Sequence, residues 1–581
     1  MKTLLVAINS KYIHSNPAVR CLKEYAMAHH TKEIGEIAIG EYTINQQTEF
    51  IISKIAEQKP DVIGLSCYIW NYEYMKKISG SLRRILPNTV IFIGGPQVSY
   101  HCETALTECH ADYCISGEGE EIVMQLLQDI AAGDPPKEAV LGHGYANNAV
   151  ELGDIPFIYH DMGEYQNRIV YYETSRGCPF RCAYCLSSIK GREASVRYLP
   201  MERVKSDLDF FLTHEVRQVK FVDRTFNCDK ARALEMIEYI KAHDNGITNF
   251  HFEVAAELLD DALITSLQGA RPELFQLEIG VQSTNPPTLK AIRRITLPEK
   301  LSEIIPRLQK NHNIHLHLDL IAGLPHEDID AFSRSFDFVY GLRPEQFQLG
   351  FLKVLAGSAM EEMAEEYGII YNEYPPYEVL YTRDLPYDDV QRLKHIEAVL
   401  ELYYNSGRFV RTMECLAKIF AKKSLRAFEL YDRLGEFYYN NGYGDVSQSL
   451  QKLYDILHAF ICEMQLDKET YAWFCDCIRF DMASHEKPRR DTDWLTVTHS
   501  KERNDRILAL FDTPDFRAAH FADSAYEKMD SKQLLRLFDL QFFTRELDTG
   551  LPVSEYACFF HYQKRDLFGN AYSTRLENGS V

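Results

Sequence analysis

The feature that most constrains this chain is a repeated alternation of short strands and longer helical stretches. Between residue 1 and about residue 145, four β-branched runs, KTLLVAI, DVIGLSC, TVIFIGG and ADYCISG, are each separated by enough chain for a crossover helix. The spacing returns from about residue 168 to 360 in RIVYYETSRG, QVKFVDRTF, NFHFEVAAE, LFQLEIGVQS, IHLHLDLIAG and QFQLGFLKVL. Parallel strands need such crossovers, so the chain reads as α/β, with an N-terminal doubly wound parallel sheet and a central (β/α)6 barrel or partial barrel. Both architectures present their ligand-binding loops at the carboxyl ends of the strands.

In the first sheet those loops carry Ser66, Cys67 and Tyr68, then Gly94, Gly95 and Pro96, then Gly117, Glu118 and Gly119. Glycine there lets backbone approach a ligand closely. The Gly- and Pro-containing stretch LGHGYANNAVELGDIPFIYHD reads as a linker. Beyond about residue 360 the strand pattern gives way to amphipathic helices, such as the one with Val390, Leu393, Ile396, Leu400 and Tyr403 on one face. The segment EYACFFHYQKRDLFGNAY reads as a strand and turn. The expected division is 1–145, a linker over 146–167, a barrel over 168–360 and a mostly helical region over 361–581.

Composition excludes several classes. A chain of 581 residues fits about three or four domains, and no internal repeat is visible. A net charge of −21 argues against general nucleic-acid binding, which needs Lys and Arg on phosphates, while leaving room for a local basic cleft. The apolar run of MKTLLVAINSKYIHS is too short for a signal core or a membrane span, so a cytoplasmic protein with no membrane span is expected.

Within ETSRGCPFRCAYCLSS, residues 173–188, three cysteines occupy eight positions: Cys178, Cys182 and Cys185. Four readings compete. Zinc needs a fourth ligand such as His160 or His214; a disulfide is disfavoured in a reducing compartment; and Gly177, Pro179 and Arg181 make the segment a loop rather than a buried apolar face. The favoured reading is a [4Fe-4S] cluster, because a cubane takes four ligands and three thiolates leave one iron open to a substrate.

CPFRCAYC has the CxxxCxxC form with Tyr184 before the last cysteine, and it resembles the signature of radical S-adenosylmethionine (SAM) enzymes. The resemblance implies that SAM chelates the open iron and is cleaved to methionine and a 5'-deoxyadenosyl radical. It also implies SAM contacts at Tyr184, at Asp223 and Asn227 in FVDRTFN, at Glu253 in HFEVAAE, and at Glu278, Gln282 and Ser283 in LEIGVQS. FVDRTFN resembles a motif that often reads FxDDxF, so Arg224 is a departure. LDLIAGLP resembles the segment that lies against adenine.

A doubly wound sheet before such a barrel resembles the cobalamin-dependent subclass, with a Rossmann-like cobalamin-binding domain. The loops expected to line the cofactor are those of Ser66 and Tyr68, of Gly94 and Gly95, and of Gly117, Glu118 and Gly119. Tyr68, Trp70 and Asn71 are candidates for the lower face of the corrin. YIHSNP matches the DxHxxG cobalt-ligand loop only at His14, so cobalamin without a histidine ligand is expected and His14 reads as a loop residue.

The resemblance implies methylation of an unactivated carbon of a small molecule or peptide, with an electron donor such as flavodoxin or ferredoxin. Rearrangement or cyclisation without methyl transfer is the alternative, and a non-catalytic redox sensor a second. A methylthiotransferase would need a second cysteine set, and Cys21, Cys67, Cys102, Cys109 and Cys114 lie on different elements. The helical region resembles an extension found after the same two domains in a family of uncharacterised bacterial proteins, and reads equally as a substrate cap or a brace. Cys475 and Cys477 read as structural.

Overall fold

The computed structural model describes residues 1–142, 144–145, 150–188, 196–566 and 569–576. The chain separates into two compact units, Met1–Phe332 with Gly350–Tyr387, and Ser333–Leu349 with Asp388–Val581. The first unit holds both strand series except for residues 346–349 of the last strand, which group with the second unit. Residues 361–387, expected in the helical region, therefore belong with the sheets.

The first sheet has six strands, β1 (Lys2–Asn9), β2 (Glu36–Thr43), β3 (Val62–Ser66), β4 (Val90–Gly94), β5 (Tyr113–Ile115) and β6 (Val140–Leu141), in the order β2-β1-β3-β4-β5-β6. All pairs are parallel. The chain reverses direction across the sheet at β1, and the crevice beside β1 and β3 is the switch point where such folds bind ligands. β1 is buried at nearly every position because both faces are covered. Helices Thr48–Ala56 and Tyr72–Ile85 cover Leu4, Val6, Ile63 and Leu65 on one side. On the other, Pro17–His29 and Glu120–Ala131 cover Leu5, Ala7, Val62 and Phe92.

The second sheet has β7 (Val170–Tyr172), β8 (Gln218–Phe221), β9 (Asn249–Glu253), β10 (Phe275–Gln282), β11 (Ile314–Ala322) and β12 (Gln346–Phe351) in sequential order. β7 through β11 pair parallel. Among the described residues β7 does not pair with β12, so the barrel is open. Burial alternates along these strands, with Val219, Phe221, Phe250, Phe252, Leu277 and Leu316 fully covered. The intervening positions 218, 220, 249, 251, 276, 278, 315 and 317 are polar, which makes the opposite face hydrophilic.

Residues 146–149 of the linker lie outside the described residues. From Val150 the segment is packed: Ile155, Tyr159 and Tyr165 are buried, and the rings of Tyr159 and Tyr165 meet edge to face at 5.0 Å.

The second unit is mostly helical as far as Ser531–Leu537, and an antiparallel sheet of β13 (Phe538–Arg545), β14 (Pro552–Arg565) and β15 (Ala571–Leu576) follows. Phe511, Phe516, Phe521, Phe538 and Phe559 form its core. The strand and turn expected near the end are β14 and β15.

Gly64 sits mid-strand in β3, where an added Cβ would lie 2.3 Å from the Phe92 ring and 2.8 Å from Leu5. Gly64→Ala is expected to destabilise the full-length chain by about 1–3 kcal/mol through overpacking. Thermal unfolding of the cofactor-free protein measures this, and an unchanged midpoint contradicts it.

Candidate functional site

A cavity of about 1270 Å³ opens between the carboxyl ends of the two sheets, inside the first unit. Its wall includes Ser66, Tyr68, Gly94, Gly95, Gly117, Glu118 and Gly119 from the first sheet. From the second come Arg176, Cys178, Lys220, Arg224 and Glu253.

Glycine is required at two of these positions. Gly95 has φ +115°, and a Cβ there would lie 2.5 Å from the Cys67 carbonyl oxygen. Gly117 has φ +98°. Tyr68 and Trp70 stack at 4.4 Å with 13° between their planes, and the Trp70 Nε1–H donates to the Ile8 carbonyl at 3.0 Å. Asn71 leaves the list of corrin contacts, because it is fully buried: its amide donates to Ile8 and Ser66 carbonyls while its Oδ1 accepts from the Tyr68 N–H. His14 lies in a loop on the cavity wall with its Nδ1 2.6 Å from the Tyr171 hydroxyl. Burial, then Lys11 and Lys220, push its pKa down.

Glu118 lines the cavity but is engaged by cations. Its carboxylate meets Arg176 at 3.0 Å and also pairs with Arg197. Arg176 reaches Glu120 at 2.9 Å and Glu173 at 2.7 Å as well. Its guanidinium thus joins the loop after β5 to the loop after β7, two residues before Cys178.

The cysteine loop leaves β7 through Gly177, at φ +114°. It is pinned by the Ala183 N–H to the Ile292 carbonyl at 2.9 Å and the Met360 N–H to the Ala183 carbonyl at 2.8 Å. Each sulfur has a polar neighbour. The Thr225 hydroxyl lies 3.7 Å from Cys178 Sγ, the Ser187 N–H donates to Cys185 Sγ at 3.4 Å, and Arg294 Nη1 lies 3.8 Å from Cys182 Sγ. Burial raises the Cys178 pKa, which disfavours a bare thiolate and favours one neutralised by metal.

None of the fourteen cysteines forms a disulfide. Among the described residues, Glu278, His317 and Asp319 are the trio of His, Cys, Asp or Glu donors that converge within 4.8 Å. The three sulfurs are spread more widely than one zinc with bonds of about 2.3 Å permits. His160 contacts Glu24 and His214 its own helix, so neither completes a zinc site. A thiolate loop of this breadth, each sulfur with a polar neighbour, fits a multi-iron cluster.

The residues expected around SAM divide. Glu253 is on the cavity wall. Burial, then the Glu278 charge, push its pKa up to about 7, against Arg224 and Lys220. Asp223 is buried and accepts from the Thr174 N–H at 2.7 Å, the Thr174 hydroxyl at 2.5 Å and the Ser175 N–H at 3.1 Å, so it shapes the strand end before the cysteines. Asn227 exchanges hydrogen bonds with the Ala255 backbone at 2.8 and 2.9 Å. Ser283 donates to Glu327 at 2.5 Å. Gln282 sits at φ +68° where β10 shifts register. Tyr184 packs with Ala183, Leu352 and Met360. Glu278 meets Lys220 and His251, each at 3.0 Å. None of these six is on the cavity wall. In LDLIAGLP, Gly323 packs against Val379.

Sequence reasoning missed Arg176, Arg197 and Arg294. Single arginines carry no spacing signal. It also missed Arg181 and Arg293, which line the cavity with Arg224; none of the three has an ion pair among the described residues. Of the cysteines considered for a second cluster, Cys67, Cys102, Cys109 and Cys114 lie in the core of the first sheet.

Residues 3–127 match the B12 binding domain model, 172–339 the Radical SAM superfamily model, and 365–556 the model described as a protein of unknown function (DUF4080). The chain is 24% identical over 320 residues to the cobalamin-dependent radical SAM methyltransferase TokK of Streptomyces tokunonensis, covering 49% of this chain and 46% of TokK. The chain thus spans less than half the length of that relative. Solved structures share the fold. OxsB with aqua-cobalamin and SAM bound gives a TM-score of 0.55 at 16% identity over 83% of this chain and 78% of that one. TsrM of Kitasatospora setae with cobalamin and a [4Fe-4S] cluster gives 0.52 at 15% over 65% and 78%. No helix among the described residues is long and apolar enough to cross a membrane.

Two outcomes test this geometry. Arg176→Met leaves Glu118, Glu120 and Glu173 without their shared cation, and the first unit should lose about 3–5 kcal/mol; a retained unfolding midpoint contradicts the assignment. The raised Glu253 pKa makes ionisation unfavourable in the folded state, so stability from this group is present below about pH 4.5 and lost as pH rises through about 7. Glu253→Gln should therefore gain roughly 1–3 kcal/mol over the parent at pH 8 and nothing at pH 4. Equal gains at both pH values sink this account.

Proposed function

This chain joins a B12-binding domain to a Radical SAM superfamily domain, and from that premise we propose that it is a cobalamin-dependent radical SAM enzyme that methylates an unactivated carbon. The observation that carries this reading is one cavity walled by the glycine loops of the first sheet and by the cysteine loop of the second.

Cys178, Cys182 and Cys185 would hold the [4Fe-4S] cluster, and Gly94, Gly95, Gly117 and Gly119 would let the cobalamin lie against backbone. When bound, the cofactors supply a carbon-centred radical and a transferable methyl group. The chain's own residues then position and shield. Tyr68 and Trp70 present a stacked aromatic wall, while Asp223 and Arg176 fix the start of the cysteine loop. Glu253 is poised to hold a proton near neutral pH at the cavity wall. Arg181, Arg224 and Arg293 offer unpaired guanidinium groups to the carboxylate of SAM or an acidic group on a small-molecule or peptide substrate. An external one-electron donor such as flavodoxin or ferredoxin would reduce the cluster.

Anaerobic reconstitution with iron, sulfide and cobalamin should give about four iron atoms per chain and a base-off cobalamin spectrum. Reduced protein with SAM should form 5'-deoxyadenosine, and Cys182→Ala should abolish it. With substrate, equal 5'-deoxyadenosine and S-adenosylhomocysteine mark methylation, whereas 5'-deoxyadenosine alone marks rearrangement. Protein that takes up zinc in place of iron overturns the reading.

A further inference from the structure

The polar face of the second sheet carries donors that the proposed chemistry does not use. Alternation along β8 to β11 brings Lys220, His251, Glu278, His317 and Asp319 to one side, and strand register sets Lys220 beside His251 and Glu278 beside His317. Glu278, His317 and Asp319 converge, each with a ligand atom within 4.8 Å of the others. His317 is only 6% exposed. Its Nε2 pairs with Asp319 Oδ1 at 2.9 Å as an ion pair whose angles fall outside those of a regular hydrogen bond. His251 Nε2, 3.0 Å from Glu278 Oε2, is likewise buried without one.

Buried imidazole and carboxylate atoms normally find hydrogen-bond partners, and leaving one without a partner costs about 1–3 kcal/mol. Here N and O atoms sit at contact distance without the directionality of a hydrogen bond. A first-row divalent metal with bonds of about 2.0–2.2 Å spaces adjacent octahedral donors roughly 3 Å apart and opposite ones roughly 4.3 Å apart. The His317–Asp319 separation of 2.9 Å matches an adjacent pair, and Glu278 brings an oxygen within 4.8 Å of both. Lys220 and His251 both contact Glu278 through Oε2, which leaves Oε1 clear of them.

We infer that Glu278, His317 and Asp319 form a site for a divalent first-row transition metal on the polar face of the barrel, separate from the cysteine loop. The donor set, one imidazole and two carboxylates, selects Mn²⁺, Fe²⁺ or Zn²⁺ over soft cations. The ion would neutralise two half-buried carboxylates, one of which, Glu278, raises the pKa of Glu253 at the cavity wall. This inference does not depend on the proposed reaction.

The test uses Mn²⁺ added anaerobically to the full-length wild-type protein carrying its oxidised, EPR-silent cluster. About one tightly bound Mn²⁺ per chain, with nitrogen coupling from a histidine in pulsed EPR, is expected. His317→Gln and Asp319→Asn should each weaken binding at least about tenfold, with iron content and cobalamin spectrum unchanged. Absence of bound Mn²⁺, binding without nitrogen coupling, or equal binding by both folded variants overturns the site. Pulsed EPR of the wild type needs no variant, so a variant that fails to fold leaves the test intact, and loss of the cluster reading would show separately in the iron count.

Discussion

The structure depends most on one half-buried guanidinium. Arg176 meets Glu118, Glu120 and Glu173 within 3.0 Å, and two of those carboxylates come from the first sheet while the third comes from the second. Removing a guanidinium from water costs several kcal/mol, and three carboxylates at hydrogen-bond distance can repay that only because they are held in place. The neighbouring carboxylates hold its pKa up despite the burial. Glu120 opens a helix and Glu118 precedes it, so the first sheet supplies a rigid acidic corner. The cysteine loop starts two residues after Arg176. Cavity shape and cysteine placement are therefore one electrostatic event, and the glycines of the first sheet gain meaning only because this clamp sets them opposite Cys178.

Much of this was legible in the sequence. Each of the ten runs became a strand, the four of the first sheet because strands buried on both faces are apolar throughout and the six of the barrel because apolar and polar residues alternate between two faces. Two strands of the first sheet were hidden. EIAIGEYT is an edge strand with only two of its eight residues buried, and the last strand is only Val140–Leu141, too short for any periodicity. The loop residues Ser66, Tyr68, Gly94, Gly95, Gly117, Glu118 and Gly119 were readable because fold topology alone fixes which strand ends face a ligand. The polar residues of the barrel were not. Asp223, Asn227 and Ser283 have the chemistry of ligand contacts but are spent on backbone and carboxylate partners, and a sequence does not show which hydrogen bonds a side chain has already made. The barrel's His and Asp face was visible in principle: in IHLHLDLIAG, polar residues fall at 315, 317 and 319, the period of one strand face.

Net charge and local charge point in opposite directions here, and the opposition bears on what enters the cavity. At −21 the chain repels polyanions at long range, a field screened over about 8 Å at physiological salt. Among the described residues on the cavity wall, Arg181, Arg224 and Arg293 have no ion pair, whereas Arg176, Arg197, Arg203 and Lys220 have carboxylate partners. Low-dielectric walls concentrate that positive potential on a compact ligand. The three guanidinium groups on the wall thus set a local positive potential against the chain's net negative charge.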